Sequence, residues 1–125
     1  MTTQLIWVAL GGALGTVARY LIQKAVILKY SPVFPWGTFI VNITGCFVIG
    51  LLWALSMKAG HFSDNLKLFL MTGLCGGFTT FSAFSMESIS LLREGKFSLF
   101  LAYSLGSLLL GFSATFIAVK MFRAF

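Results

Sequence analysis

The chain has 125 residues, of which 58% are hydrophobic and only 10% charged, with 14 phenylalanines. A soluble domain of this length could not hide so much apolar surface, because a small globule needs a large polar exterior. Nine Lys and Arg against three acids give a net charge of +6, but the basic residues stand singly between apolar runs, a pattern suited to anionic headgroups in a lipid bilayer and not to nucleic acid.

Met1-Thr2-Thr3-Gln4 lacks the basic start of a secretory signal, and the first apolar run passes into Arg19 and Lys24 without a cleavage site, so it is read as retained. A hydrocarbon core roughly 30 Å thick takes about 20 apolar residues per helix. Four stretches meet that length, at about 4 to 23, 37 to 57, 66 to 92 and 97 to 119. The reading is an all-α membrane protein with four transmembrane helices, a single unit over residues 1–125.

In the first stretch, Gly11-Gly12-xx-Gly15 is a close-packing signal. Arg19 is the one cation well inside this run; it either snorkels to the interface or stands in a vestibule as an attractor for anions. Both prolines, Pro32 and Pro35, fall in the first loop, with Trp36 as an interfacial aromatic. Asn42 lies one turn into the second stretch, either as an interhelical hydrogen bond or as a functional donor. Cys46 and Cys75 carry no metal or redox signature and read as small apolar residues. The second loop runs from Lys58 to Asn65, with His61 a solvated loop residue, and Arg93-Glu94-Gly95-Lys96 is a tight third loop.

The third stretch is longer than one crossing requires, and Gly76, Gly77, Thr79, Thr80, Ser82 and Ser85 occupy its middle. Consecutive glycines weaken a helix by about 1 kcal/mol each relative to Ala, and neighbouring hydroxyls can satisfy the groups that a break releases. We therefore expect Gly76 to Thr79 to break the helix at mid-membrane, exposing carbonyls of the kind that coordinate ions in transporters. Phe81 and Phe84, three apart, share one face of the restarted helix, and Ser82 and Ser85 share the next. Their ring edges carry partial positive charge and can face a small anion, or the rings can simply pack against lipid and core. Glu87 is the only acid within a span, either a proton carrier or a partly hydrated group near the helix end. In the fourth stretch Tyr103, Ser107, Gly111 and Thr115 recur every four residues, with Ser104 beside them, as helix glue or as a wet stripe.

Four helices place Lys58, Lys67, Lys120 and Arg123 on one side and Lys24, Lys29, Arg93 and Lys96 on the other, four against four. Orientation follows an excess of Lys and Arg in cytoplasmic loops. With so even a count the chain is expected to insert both ways and pair as an antiparallel homodimer, the alternative being one topology set by the first helix.

Gly76-Gly77-Phe78-Thr79-Thr80-Phe81-Ser82-Ala83-Phe84-Ser85, followed by Glu87, closely resembles the signature of the Fluc (CrcB) fluoride channels of bacteria. Gly11-Gly12-xx-Gly15-xxx-Arg19, Gly37-Thr38-xxx-Asn42 and Tyr103-xxx-Ser107 extend the resemblance over nearly the whole chain. It implies a passive fluoride channel, not an enzyme, in the bacterial inner membrane, where export relieves fluoride toxicity. It also implies a dual-topology antiparallel homodimer with two pores and a central structural sodium ion (Na+). Carried over by position, the backbone carbonyls of Gly76 and Thr79 would hold the sodium, and Phe81 and Phe84 would form an aromatic box facing fluoride. Asn42 would be a pore donor, Tyr103 and Ser107 part of a polar track, and the hydroxyls of Thr80, Ser82 and Ser85 would face the anion path. Arg19 would be a vestibule cation, and Glu87 would sit near the outer portion of the track. Two positions depart from the pattern: Gly111 stands where some members have a serine, so Ser104, Thr115 or water would line that end, and Ala83 stands where many have a threonine.

Two other classes fit parts of the sequence. A small dual-topology multidrug exporter shares the length and helix count, but proton-coupled cation export wants an acid deep in the first helix, which has none. A non-transporting membrane scaffold would account for the small-residue motifs and leave Asn42 and the broken span without a purpose.

Overall fold

The computed structural model describes residues 1–30, 32–59 and 62–122, so His61 and Arg123 of the sequence reading lie outside the described residues. Four helical spans are long and apolar enough to cross a membrane, Thr2–Lys29, Trp36–Met57, Asp64–Arg93 and Phe97–Met121. Lipid offers the backbone no hydrogen bonds, so a spanning segment must satisfy its own, and the helix does this residue by residue.

Helix α1, Thr2–Lys29, continues past the expected apolar run and carries Lys24 and Lys29 on its final turns. Helix α2, Trp36–Ala59, begins directly after Pro35. The third span opens at Ser63, whose hydroxyl accepts a hydrogen bond from the Leu66 amide at 3.1 Å, a conventional start signal. Its first half, α3, covers residues 64–78: an α turn Asp64–Lys67, a π-wound stretch Leu68–Cys75 and a last turn Gly76–Phe78. Thr79 and Thr80 are extended, and α4 then runs Phe81–Arg93. It closes at Gly95, whose φ of 76° only glycine adopts cheaply. There the Lys96 amide reaches the Leu91 carbonyl at 2.9 Å and the Gly95 amide that of Leu92 at 3.0 Å, the paired bonds of a Schellman end. Helix α5 is Phe97–Met121.

The third span is broken as expected, at the far end of the Gly76 to Thr79 stretch and not at its glycines. Gly76 keeps helical angles, φ −63° and ψ −39°, and the helix fails three residues later at the two threonines. A propensity of about 1 kcal/mol per glycine is smaller than the several kcal/mol of leaving a backbone group unmet in lipid. The break therefore falls where side chains can meet those groups, and not where the chain is most pliable.

The glycines serve close approach instead. A Cβ on Gly11 would strike the Phe69 carbonyl oxygen, one on Gly15 that of Leu74, and one on Gly77 would lie 2.5 Å from the Gly12 oxygen. The small-residue motif of α1 is thus the seat for α3 within one chain. On the other side of the bundle α2 meets α5: Thr115 donates its hydroxyl to the Cys46 carbonyl at 2.8 Å. A Cβ on Gly111 would come 3.4 Å from the Cys46 sulfur. Leu10, Leu14, Leu109 and Phe112 are among the many large apolar side chains left outward-facing, surface that only lipid or another subunit can cover.

Gly11 and Gly12 make a sharp contrast, since a Cβ on Gly12 meets nothing within 4 Å. Gly11→Ala should destabilise the detergent-solubilised protein by about 1–3 kcal/mol through overpacking, whereas Gly12→Ala should leave its melting temperature unchanged or slightly raised. Equal melting of the two variants would show that α1 and α3 do not meet at Gly11.

Candidate functional site

The break is held by one side chain from α2. Asn42 accepts from the Thr80 amide through its Oδ1 at 2.8 Å and donates its Nδ2 to the Thr80 carbonyl at 3.0 Å. One amide side chain thereby replaces both hydrogen bonds that the extended residue forfeits. Thr79 folds its hydroxyl back onto the Cys75 carbonyl at 2.9 Å, and Thr80 caps α4 by accepting from the Ala83 amide at 3.2 Å. On the other face Arg19 donates its Nε to the Gly77 carbonyl at 3.1 Å, setting a cation at the negative end of α3.

Beside the break lies a cleft of about 380 Å³ whose wall includes Asn42, Gly76, Thr79, Thr80, Phe81, Phe84 and Ser107. The Phe81 and Phe84 rings are neighbours, centroids 5.8 Å apart and tilted by 54°. Phe81 is 76% exposed, an outlying position for so large an apolar group. Ser107 shares this lining, and its hydroxyl is buried without a hydrogen-bond partner among the described residues, although a buried unmet donor ordinarily costs about 1–3 kcal/mol. The Asn42 amide has a second proton that its two bonds to Thr80 do not use.

A second cleft, about 390 Å³, opens beneath the first loop and is walled by Gln23, Phe34, Trp36, Thr38, Glu87 and Glu94 among others. A connected set of hydrogen bonds runs along its wall to Tyr103. Gln23 Nε2 donates to Thr38 Oγ1 at 3.1 Å, Thr38 donates to Glu87 Oε2 at 3.1 Å, and the Tyr103 hydroxyl donates to Glu87 Oε1 at 3.0 Å. Thr38 and Tyr103 are essentially inaccessible, at 1% and 0% exposure. Tyr103 also packs on Phe84, centroids 5.1 Å apart, so it stands between the two clefts.

Residues 6–119 match the family model described as CrcB-like protein, Camphor Resistance (CrcB). The chain belongs to the CrcB-like family. It is 43% identical over 117 residues to the "Fluoride-specific ion channel FluC" of Phocaeicola vulgatus, an alignment covering 94% of this chain and 96% of that one. It is also 43% identical over 120 residues to the protein of that name from Rhizobium meliloti, covering 96% of each. To the one from Methylobacillus flagellatus it is 48% identical over 110 residues, covering 86% of this chain and 85% of the relative.

In this CrcB-like chain the structure gathers Asn42, Thr80, Phe81, Phe84 and Ser107 around one cleft and Glu87 at the other. Ser82 and Ser85 lie exposed on α4 outside both linings, with the Ser82 hydroxyl 3.4 Å from that of Thr80. Arg19 is also outside them, engaged with Gly77. Neither residue offered in place of a serine at position 111 lines a cleft: Thr115 is spent on Cys46, and Ser104 donates to Ser88 at 3.4 Å. Gln23 and Phe34 are site residues that the sequence reading did not single out, and Thr38 stands there only as part of the Gly37-Thr38-xxx-Asn42 motif, with no role of its own. Spacing could have flagged two of them, since Thr38 is one turn before Asn42 and Gln23 one turn after Arg19.

The Asn42 clamp has a direct test. Asn42→Leu leaves the Thr80 amide and carbonyl both unmet, and should destabilise the protein by about 2–5 kcal/mol, whereas Asn42→Asp keeps the acceptor and should lose less. Thermal melting in detergent with limited proteolysis across residues 79–80 measures this. Wild-type melting and protection in Asn42→Leu would remove the bracing role.

Proposed function

We infer that this chain is a fluoride-selective passive ion channel of the bacterial inner membrane, a multi-pass protein and not an enzyme, which lets fluoride leave the cell and so relieves its toxicity. The observation that carries the reading is the Ser107 hydroxyl, buried without a hydrogen-bond partner among the described residues, on a residue that lines the same cleft as Phe81 and Phe84. An anion gives up hydration only where donors replace it, and fluoride, small and hard, loses the most. Ser107 and the spare Asn42 proton supply hydrogen bonds, while ring edges supply positive potential without a full charge that would trap the ion. Nothing in such a path calls for ATP or covalent chemistry. The naming of the relatives as fluoride-specific channels supports fluoride over other halides. A proton-coupled exporter is not favoured, because α1 has no Asp or Glu.

The same reading pairs two chains as an antiparallel homodimer with two pores. The 76% exposure of Phe81 supports this, for the ring needs a partner to become one side of an enclosed path. The four-against-four distribution of Lys and Arg across the membrane supports insertion in both directions. A central sodium ion fits the residues present. Neither the Gly76 nor the Thr79 carbonyl oxygen receives a hydrogen bond among the described residues, and a Cβ on Gly76 would meet open space. Oxygen ligands of this kind suit a hard cation, which would supply positive charge where the α3 carbonyls of two subunits converge.

Fluoride efflux from liposomes containing the purified protein, followed with a fluoride electrode, should be rapid while chloride efflux stays at background. No fluoride efflux from intact protein, or equal chloride efflux, would overturn the assignment. Phe81→Ile and Phe84→Ile should each slow fluoride by about tenfold, the scale of a single lost ring contact, and unimpaired flux in both would remove the aromatic role. For topology, Asn65→Cys in cells should react with impermeant thiol reagents from both sides of the membrane, against a background set by Cys46 and Cys75. Labelling from one side only would rule out dual insertion.

A further inference from the structure

The hydrogen-bonded set in the second cleft has a polarity, and its direction originates outside the pair that donates to Glu87. A threonine hydroxyl has one proton to give and accepts at its oxygen. In a helix it ordinarily has the option of turning that proton onto a carbonyl one turn back. Here the Gln23 amide already donates to Thr38 Oγ1 at 3.1 Å, which pins that oxygen from the α1 side and turns its proton to the far side, where Glu87 Oε2 accepts at 3.1 Å and the Tyr103 hydroxyl is also within reach. An amide NH₂ can only donate, so the sequence Gln23 to Thr38 to Glu87 runs one way, and Tyr103 closes it from the other carboxylate oxygen at 3.0 Å. Gln23 is half-buried and forms part of the cleft wall, so it is the member of the set that belongs to the mouth.

We propose that Gln23 is a positioning residue of the conduction path, which orients the Thr38 hydroxyl toward Glu87 and thereby sets the hydrogen-bond polarity of the second cleft. The proposal rests on the channel reading above and adds to it a residue that acts only through Thr38. Removing the Gln23 donor frees the Thr38 hydroxyl to rotate, withdraws one donor from the Glu87 carboxylate, and changes what a passing anion meets without altering the aromatic pair or Ser107.

A double-mutant cycle in the liposome fluoride assay tests this, with the full-length chain and with melting temperature and elution volume monitored for each variant. Gln23→Met, similar in length and unable to donate, should lower fluoride flux about three- to tenfold, the span of one neutral hydrogen bond. Thr38→Val should lower it as well, and adding Gln23→Met to Thr38→Val should lower it no further. Flux in Gln23→Met equal to that of the parent overturns the proposal. An equal loss from Gln23→Met in both backgrounds also overturns it, since the effect would then bypass Thr38. Failure of the parent itself to pass fluoride is a different result and removes the channel reading first. A readout independent of flux comes from the carboxylate infrared band, assigned with Glu87→Gln in a chain that has only three acids. That band should shift in Gln23→Met and hold in the Gly12→Ala variant, and an unmoved band in Gln23→Met means that Gln23 does not orient the donor to Glu87.

Discussion

Everything distinctive in this protein follows from the rule that a backbone group in lipid must be met from within the protein. A helix broken at Thr79 and Thr80 violates it locally, and the surrounding residues are arranged around the repair. Asn42 substitutes for the lost bonds of Thr80, the Thr79 hydroxyl returns to Cys75, and Arg19 takes the Gly77 carbonyl. These come from three different elements, so the break can exist only in the assembled bundle. The glycines of α1 then act as a depth gauge: they let α3 approach until Arg19 can reach the end of that half-helix. A longer side chain at Gly15 would push the Leu74 carbonyl away and with it the whole break.

The repair also decides what faces inward. Because α4 restarts at Phe81 with its first turn capped by Thr80, the phase of that helix is fixed, and Phe81 and Phe84 line the first cleft, Phe81 largely exposed, while Ser82 and Ser85 lie outside it. Along the facing elements the register then repeats: Thr38 and Asn42 on α2, Phe84 and Glu87 on α4, Tyr103 and Ser107 on α5. Each pair spans about one helical turn, so the two clefts are successive levels of one column. The Tyr103 ring against Phe84 is the partition between them, braced from the first loop by Phe34, whose ring meets it edge-on with centroids 5.4 Å apart.

Much of this was legible before any coordinates. Four apolar stretches, two prolines and a Gly95 turn predict the spans, because hydropathy and turn chemistry are local. Phe81 and Phe84 fall on one face by spacing alone, and Asn42 stands out because amides at membrane depth are costly. The position of the break did not follow from composition, since it depends on which carbonyls Asn42 and Arg19 can reach, and both are distant in sequence. Gln23 escaped notice for a related reason. At the end of an apolar run it looks like any interfacial amide, and only the approach of α1 to Thr38 gives its donor a target. Thr115 fits the periodic stripe as well as Ser107 does, and Ser104 lies beside it, yet neighbours consume both hydroxyls, an outcome that period four does not encode.

The two levels of the column differ in what they offer an anion. At the first, the Ser107 hydroxyl has no hydrogen-bond partner among the described residues, so on the proposed channel reading an anion there would gain a hydrogen bond without breaking one. At the second, the hydroxyls of Thr38 and Tyr103 are already committed, one to each oxygen of Glu87, and an anion must compete with a carboxylate for them. In a path meant for conduction such inequality is useful. On the proposed channel reading, a site that binds without competition would set selectivity, and a neighbouring site where binding displaces an existing bond would keep the ion from resting, as the requirement that entry be favourable and exit easy demands. The same arrangement explains how an acid is tolerated in the span. Each oxygen of Glu87 is held by one donor, Thr38 or Tyr103, inside a protein of net positive charge.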